Sequence, residues 1–191
     1  MRHFYYICPK FYYIPNYIIM TPCLRWTSII MLAFLSMSFI RPDDGMVRGR
    51  RAVNTLLDSV EFTMDDNPAH ADSLIKQIDP NSIKAKRQKA RYALLYTAAE
   101  YKNYQPFTSD SLIMEAVNYY ANRHNYDYRF LSYYYLGCVY MEMNLLKDAS
   151  VAFARAEWLV DGIDNDYWKG LLYMRLGEIF TESSDFNKKE E

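Results

Sequence analysis

Few residues of this chain have types and spacings that could support chemistry. Three carboxylates, Asp161, Asp164 and Asp166, share one short polar segment, a composition found in calcium loops. A calcium loop starting at Asp164 needs glycine at its sixth position and glutamate at its twelfth, where this chain has Lys169 and Arg175. We therefore interpret the segment as a solvated loop rather than a metal site.

The cysteines and histidines form no recognisable site either. Cys8 and Cys23 lie near the start of the chain, and Cys138 is the only other cysteine, with His70 and His124 far from it in sequence. No nucleophile–histidine–carboxylate order, phosphate-binding glycine loop or His-Glu-x-x-His helix occurs. The sequence predicts that the protein is not an enzyme and that it uses no metal or other cofactor.

Five basic residues cluster in one short stretch and invite a phosphate or nucleic-acid interpretation. Beyond residue 38, however, the chain has 19 Lys and Arg against 23 Asp and Glu, a net charge of −4. A nucleic-acid-binding domain is expected to be basic. We expect a solvated helix face, and no nucleic-acid binding by this chain alone, from Lys84, Lys86, Arg87, Lys89 and Arg91.

Apolar residues recur every three or four positions through most of the chain, which indicates amphipathic helices. Asn67, Ser82 and Asp110 are the expected N-caps. Short loops between helices of this length predict antiparallel hairpins, and no strand pattern competes. The predicted helices run over 47–64, 68–78, 83–102, 111–122, 128–143, 147–160 and 167–182.

The strongest signal is a repeated set of large and small residues. From Phe130 the chain reads FLSYYYLGCVYMEMNLLKDASVAFARAEWLVDG. A second copy starts 40 residues later, and its second helix has no counterpart because its small position falls on Lys189. The large and small residues that define the first copy are Tyr133, Leu136, Gly137, Tyr140, Ala149, Phe153 and Ala156. Those that define the second copy are Tyr173, Leu176, Gly177 and Phe180.

This pattern resembles the tetratricopeptide repeat, a 34-residue helix–turn–helix unit, with Asp161 in place of the closing proline. The best repeat is 130–163, 167–191 is a partial copy, and the resemblance is weak over 47–124. It implies an all-α fold, a short right-handed solenoid of about seven helices over 43–191. Residues 67–74 with 90–96 also look like a group of exported bacterial tetratricopeptide proteins. Some of these continue into a membrane helix and a cytoplasmic DNA-binding helix-turn-helix, so the chain is expected to be truncated relative to them.

The resemblance also implies a concave groove lined by the first helix of each hairpin. Its aromatic and methionine side chains would suit an adaptable peptide site. For Tyr134, groove lining and packing in the core both remain open. The predicted groove residues are Leu131, Tyr134, Cys138 and Met141 in the best repeat and Leu171, Met174 and Glu178 in the next copy.

A leader is predicted over 1–40. Ile29 to Ile40 is uncharged, Arg25 precedes it and Ser36-Met37-Ser38 offers small residues for cleavage, the layout of a secretory signal. Met20 is the expected start. Arg residues after the apolar run leave open an uncleaved membrane anchor through residues 26–40, and a buried cytosolic helix is the third alternative.

The sequence thus predicts a polypeptide-binding scaffold in the periplasm, or anchored in the inner membrane and facing it. Another polypeptide is the expected partner. The alternatives are the extracytoplasmic sensor portion of a membrane-spanning transcriptional regulator and a remnant without function. The apolar face of 167–182 (Leu171, Leu172, Leu176, Ile179 and Phe180) further predicts self-association or marginal stability.

Overall fold

The computed structural model describes residues 47–189, with side chains to residue 182. The predicted leader and its cleavage point lie outside the described residues. Within the described part the chain is all-helical and contains no β-strand. Its seven α-helices are α1 (Arg50–Thr63), α2 (Pro68–Ile75), α3 (Lys86–Lys102), α4 (Ser111–Tyr120), α5 (Tyr126–Glu142), α6 (Leu146–Glu157) and α7 (Asp166–Lys189).

The predicted all-α class and the number of helices are confirmed, whereas several helix ends differ from the prediction. The Asn67 side chain caps α2 by accepting from the His70 amide, with Pro68 at the first helical position, as expected. The predicted Ser82 cap is wrong. Ser82 belongs to a 3₁₀ turn and donates to the Asp79 carbonyl, so α3 starts only at Lys86.

Two further ends are set by tertiary contacts that the sequence pattern does not show. Val47 was expected to begin α1, but it forms an isolated parallel bridge with Ile78, and Gly49 adopts a positive φ of 96° before the helix begins. Asp110 precedes α4 as predicted, yet its carboxylate accepts from Tyr140 at 2.7 Å instead of capping the helix.

The helices pack in chain order. Each helix contacts the next, most extensively α5 with α6 and α3 with α4, and α3 also contacts α1 and α5. One continuous hydrophobic core runs through these contacts, with Leu57, Leu94, Phe130, Phe153 and Leu172 almost fully buried. None of the described helices is long and apolar enough to cross a membrane.

The α5–α6 hairpin has small residues where its two helices meet. A Cβ atom added at Gly137 would lie 2.6 Å from the Phe153 ring, closer than carbon atoms can approach. Ala149 and Ala156, on either side of Phe153 along α6, are fully buried. The glycine therefore lets the aromatic ring of one helix press against the backbone of the other.

Candidate functional site

A large cavity lies between the end of α3, the helix α5 and the first half of α7. Its volume is about 500 Å³. This size falls in the range of ligand pockets, and the lining is mainly aromatic. The lining residues are Pro68, Tyr101, Lys102, Tyr104, Tyr134, Tyr135, Glu142, Tyr167, Trp168, Leu171 and Arg175. We call it the aromatic cavity.

Two of three consecutive tyrosines on α5 build one wall of the cavity. Tyr134 and Tyr135 turn toward the cavity, whereas Tyr133 lies on the other side of the helix beneath Arg155. Trp168 of α7 closes the packing, with its ring centroid 5.3 Å from that of Tyr134 and 6.1 Å from that of Tyr135 in edge-on arrangements. Such edge-to-face contacts stabilise aromatic clusters beyond simple burial, so this wall is preformed.

The rim is more open and carries the adaptable side chains. Tyr104 is 95% exposed and Tyr167 is 57% exposed, and both line the cavity. Tyr104 has a positive φ of 55°, so the loop backbone rather than side-chain packing sets its position. The Tyr104 ring, which is almost fully exposed, can reorient around a ligand, whereas the Tyr167 ring contacts Trp168 at a centroid distance of 5.7 Å.

Arg175 carries positive charge into the cavity. It donates to Glu178 at 2.6 Å and its guanidinium lies 5.6 Å from the Tyr101 ring centroid. Its buried Nε has no hydrogen-bond partner in the structure. Burial lowers the pKa of Arg175, but the hydrogen bond to Glu178 and the interactions with Tyr101, Cys138 and Tyr134 together raise that pKa above its usual value. Arg175 is therefore a fixed cation whose buried Nε has no protein acceptor.

The tyrosines and the cysteine beside Arg175 are uncharged at neutral pH. Burial raises the pKa of Tyr101, Tyr134 and Tyr135 well above the usual value of tyrosine. Burial also raises the pKa of the Cys138 thiol to about 12, in contact with the hydroxyls of Tyr101 and Tyr134. A neutral buried thiol is a poor nucleophile, so this arrangement favours binding over covalent chemistry.

The predicted groove residues are only partly brought together. Tyr134 and Leu171 line the aromatic cavity, although the Tyr134 side chain is only 2% exposed and thus also belongs to the core. Cys138 is fully buried, so its predicted place on the groove surface is corrected to a place behind the tyrosines. Leu131 lines a separate cavity of about 330 Å³ on the other side of Trp168.

The remaining three predicted residues lie outside the lining of the aromatic cavity. Met141 is partly buried, Met174 is 47% exposed and Glu178 is partly buried beside Arg175. The sequence reasoning missed Tyr101, Tyr104, Tyr135, Trp168 and Arg175. The signal available was the unusual abundance of tyrosine, but its positions around three helices depend on tertiary packing.

The five residues of the basic stretch, 84–91, fall into two groups with different surroundings. Lys84, Lys86, Arg87 and Lys89 are exposed, as expected for a solvated face. Arg91 instead reaches α1, where it donates to Asp58 at 2.6 Å and to Glu61. Tyr128 of α5 also donates to Glu61 at 2.9 Å, so one carboxylate links three helices. This cluster connects elements of the fold rather than presenting a site for phosphate.

Comparisons of the chain with protein-family models, with curated proteins and with solved structures give no match.

Proposed function

We propose that this chain is a polypeptide-binding scaffold whose helices form a short right-handed solenoid of tetratricopeptide hairpins. The aromatic cavity is the observation that carries the proposal. Tyrosine and tryptophan supply large contact areas at low entropic cost, and the cavity combines a rigid aromatic wall with two exposed rings. We propose a bound peptide that inserts a large apolar side chain between Trp168 and Leu171.

The repeat interpretation is supported by how the α5–α6 hairpin packs. Gly137 meets Phe153 where the repeat pattern places its small residue against its large one. The contacts of α3 with both α1 and α5 are also those expected when the first helices of successive hairpins lie side by side. A peptide running across these first helices would meet α3, α5 and α7 in turn.

Selection of random peptides displayed on phage tests the proposal. The immobilised full-length chain should enrich a family of peptides that share an aromatic or large aliphatic residue. The variant Tyr104→Asn/Tyr167→Ala should bind the selected peptides at least about tenfold more weakly, because it removes the exposed rim rings. Asparagine suits the left-handed backbone at position 104, so the fold should survive.

Trp158 provides the matched control. It is 89% exposed and does not line the aromatic cavity, so Trp158→Ala removes an equally exposed ring elsewhere. Trp158→Ala should bind the selected peptides as the wild type does. Failure to enrich any peptide family, or equal weakening by both variants, would contradict the proposal.

We also propose that the chain is exported through Ile29–Ile40 and acts in the periplasm or at the periplasmic face of the inner membrane. The support is the uncharged run behind Arg25. A reporter phosphatase that is active only outside the cytoplasm, fused after residue 191, should be active. Replacing Leu32 and Leu35 by arginine should abolish that activity, whereas a fusion that is equally inactive without these changes would argue against export.

A further inference from the structure

A second cavity, of about 330 Å³, shares Trp168 with the aromatic cavity. Two exposed aspartates line it, Asp127 in the first turn of α5 and Asp164 just before α7, together with Asn165. None of the described residues that line it is basic. Its apolar lining residues are buried or half-buried: Phe130, Leu131, Ile163 and Trp168. We call it the acidic cavity.

The two aspartates carry negative charge that the folded chain leaves unbalanced. Within the described part of the chain, neither Asp127 nor Asp164 makes an ion pair or a side-chain hydrogen bond. Asp166, the next acid along the chain, differs because its carboxylate lies 3.5 Å from the Lys169 ammonium. A cation that enters the acidic cavity would therefore meet two carboxylates without a partner.

The aromatic cavity leaves charge of the same sign unbalanced. The Lys102 ammonium lies 2.9 Å from Asp65, and the Arg175 guanidinium lies 2.6 Å from Glu178, so both cations of the cavity are already paired. Glu142 also lines this cavity, and it makes no ion pair or side-chain hydrogen bond with any residue that the structure describes. The unpaired charges that line the two cavities are thus carboxylates.

A lysine or arginine side chain matches the acidic cavity in both polarity and charge. Its aliphatic stem can cover the apolar lining while its charged head stays beside the exposed carboxylates. An acidic side chain would instead bring like charges together, which opposes binding. Because the two cavities share Trp168, a peptide in the aromatic cavity has to pass only one indole ring to reach the acidic cavity.

We propose that the acidic cavity is a specificity subsite for a basic side chain of the bound polypeptide. The partner segment then combines a large apolar residue, held in the aromatic cavity, with a nearby lysine or arginine, held beside Asp127 and Asp164. This inference rests on the proposed peptide binding in the aromatic cavity, and it adds the chemical class of the partner.

Three pools of random dodecapeptides test the charge preference. Each pool mixes phenylalanine, leucine, glycine and serine with one further type: lysine and arginine in the basic pool, glutamine in the neutral pool and glutamate in the acidic pool. Acetylated and amidated ends remove terminal charges. The immobilised full-length chain, in non-ionic detergent at about 0.15 M salt, should retain the basic pool at least about fivefold more than the acidic pool, with the neutral pool between them.

Two double variants separate contact in the acidic cavity from the overall charge of the chain. Asp127→Asn/Asp164→Asn should lower the ratio of basic to acidic retention to below about twofold, because it removes both unpaired carboxylates. Asp161→Asn/Asp166→Asn is the matched control, since it removes the same charge from exposed residues outside the lining. It should leave the ratio within about 1.5-fold of the wild-type value.

The outcomes distinguish this inference from the proposed function on which it rests. Equal retention of the three pools would leave polypeptide binding standing and overturn the basic preference. Stronger retention of the acidic pool would also overturn it and would point to Lys102 and Arg175 instead. An equal effect of the two double variants would show a general charge effect without a subsite. If no pool is retained above a blank support, polypeptide binding itself is contradicted, and the basic preference with it. Circular dichroism checks that both double variants remain helical, as expected for substitutions of exposed side chains.

Discussion

The Phe153 ring lies directly against Gly137, where an added Cβ would approach the ring Cε1 to 2.6 Å. Phe153 is fully buried and therefore has no room to withdraw. The corresponding glycine of the partial copy, Gly177, has nothing within 4 Å of an added Cβ. Two glycines at the same position of one motif thus have opposite surroundings.

Alanine substitutions should therefore have opposite effects at these two positions. Gly137→Ala should lower the free energy of unfolding by about 1–3 kcal/mol, because overpacking outweighs the better helix propensity of alanine. Gly177→Ala should raise the free energy of unfolding by roughly 0.5–1 kcal/mol, because the added methyl group meets no neighbour and only the helix propensity improves. Urea unfolding followed by circular dichroism measures both values. A stabilised Gly137→Ala variant would show that the α5–α6 packing is looser than described.

The Arg91 cluster should contribute measurably to stability. The Arg91 side chain is 16% exposed and contacts both Asp58 and Glu61 of α1. Arg91→Met keeps much of the apolar stem but removes the charge that faces two carboxylates. We expect the free energy of unfolding to fall by about 1–2 kcal/mol. The loss is no larger because solvent screens both acids, which are partly exposed. Urea unfolding at low and at moderate salt measures this loss.

Arg87 is the matched control for that substitution, since it is exposed on the same helix. Arg87→Met should change the free energy of unfolding by less than about 0.5 kcal/mol. If the two methionine variants are equally stable, the link between α1 and α3 does not depend on the Arg91 ion pairs.

Alkaline pH should unfold the protein cooperatively. Burial raises the pKa of Tyr92 to about 12 and that of Tyr128 to about 12, while an unfolded tyrosine has a pKa of about 10. The stability linked to each hydroxyl is fully present below pH 10 and is lost as the pH rises through the folded pKa, because the unfolded chain releases its protons first. Burial also raises the pKa of Tyr101, Tyr120, Tyr134, Tyr135 and Tyr140.

Absorbance of tyrosinate at 295 nm, recorded together with the helical signal, checks this expectation. The helical signal should persist to about pH 10 and fall above it, and tyrosinate absorbance should rise steeply in the same interval. Tyr135→Phe removes one fully buried hydroxyl and should shift the transition to higher pH. Complete tyrosine ionisation while the helices stay intact would mean that these hydroxyls are not held away from water.

Local patterns predicted the helices because each one carries its own periodicity and several carry their own caps. Asn67 followed by Pro68 is sufficient to start α2, and the structure confirms it. Ser82 illustrates the opposite case. Its hydroxyl donates to the Asp79 carbonyl within the 3₁₀ turn, and α3 begins three residues later than predicted. The longer α7, which continues to Lys189 beyond the predicted end at 182, has no sequence break to mark its end.

The candidate site was harder to predict because it depends on which side chains meet across helices. Of the residues that the position rules of the best repeat name, Tyr134 and Leu171 line the aromatic cavity, whereas Cys138 is fully buried. Trp168 was missed because it lies at the beginning of α7, outside the repeat marks, and contacts Tyr134 only through tertiary packing. Tyr104 was missed because it belongs to a loop, which helical periodicity does not describe.

The most direct test of polypeptide binding in the aromatic cavity uses Trp168 as an internal reporter. The chain has three tryptophans, so Trp26→Phe/Trp158→Phe leaves Trp168 as the only one, beside Leu171 in the cavity wall. Titration with a phage-selected peptide that lacks tryptophan should shift the Trp168 emission saturably, and adding Tyr104→Asn/Tyr167→Ala should abolish that shift at the same peptide concentrations. A peptide that binds the full-length chain but leaves the Trp168 emission unchanged would contradict binding in this cavity.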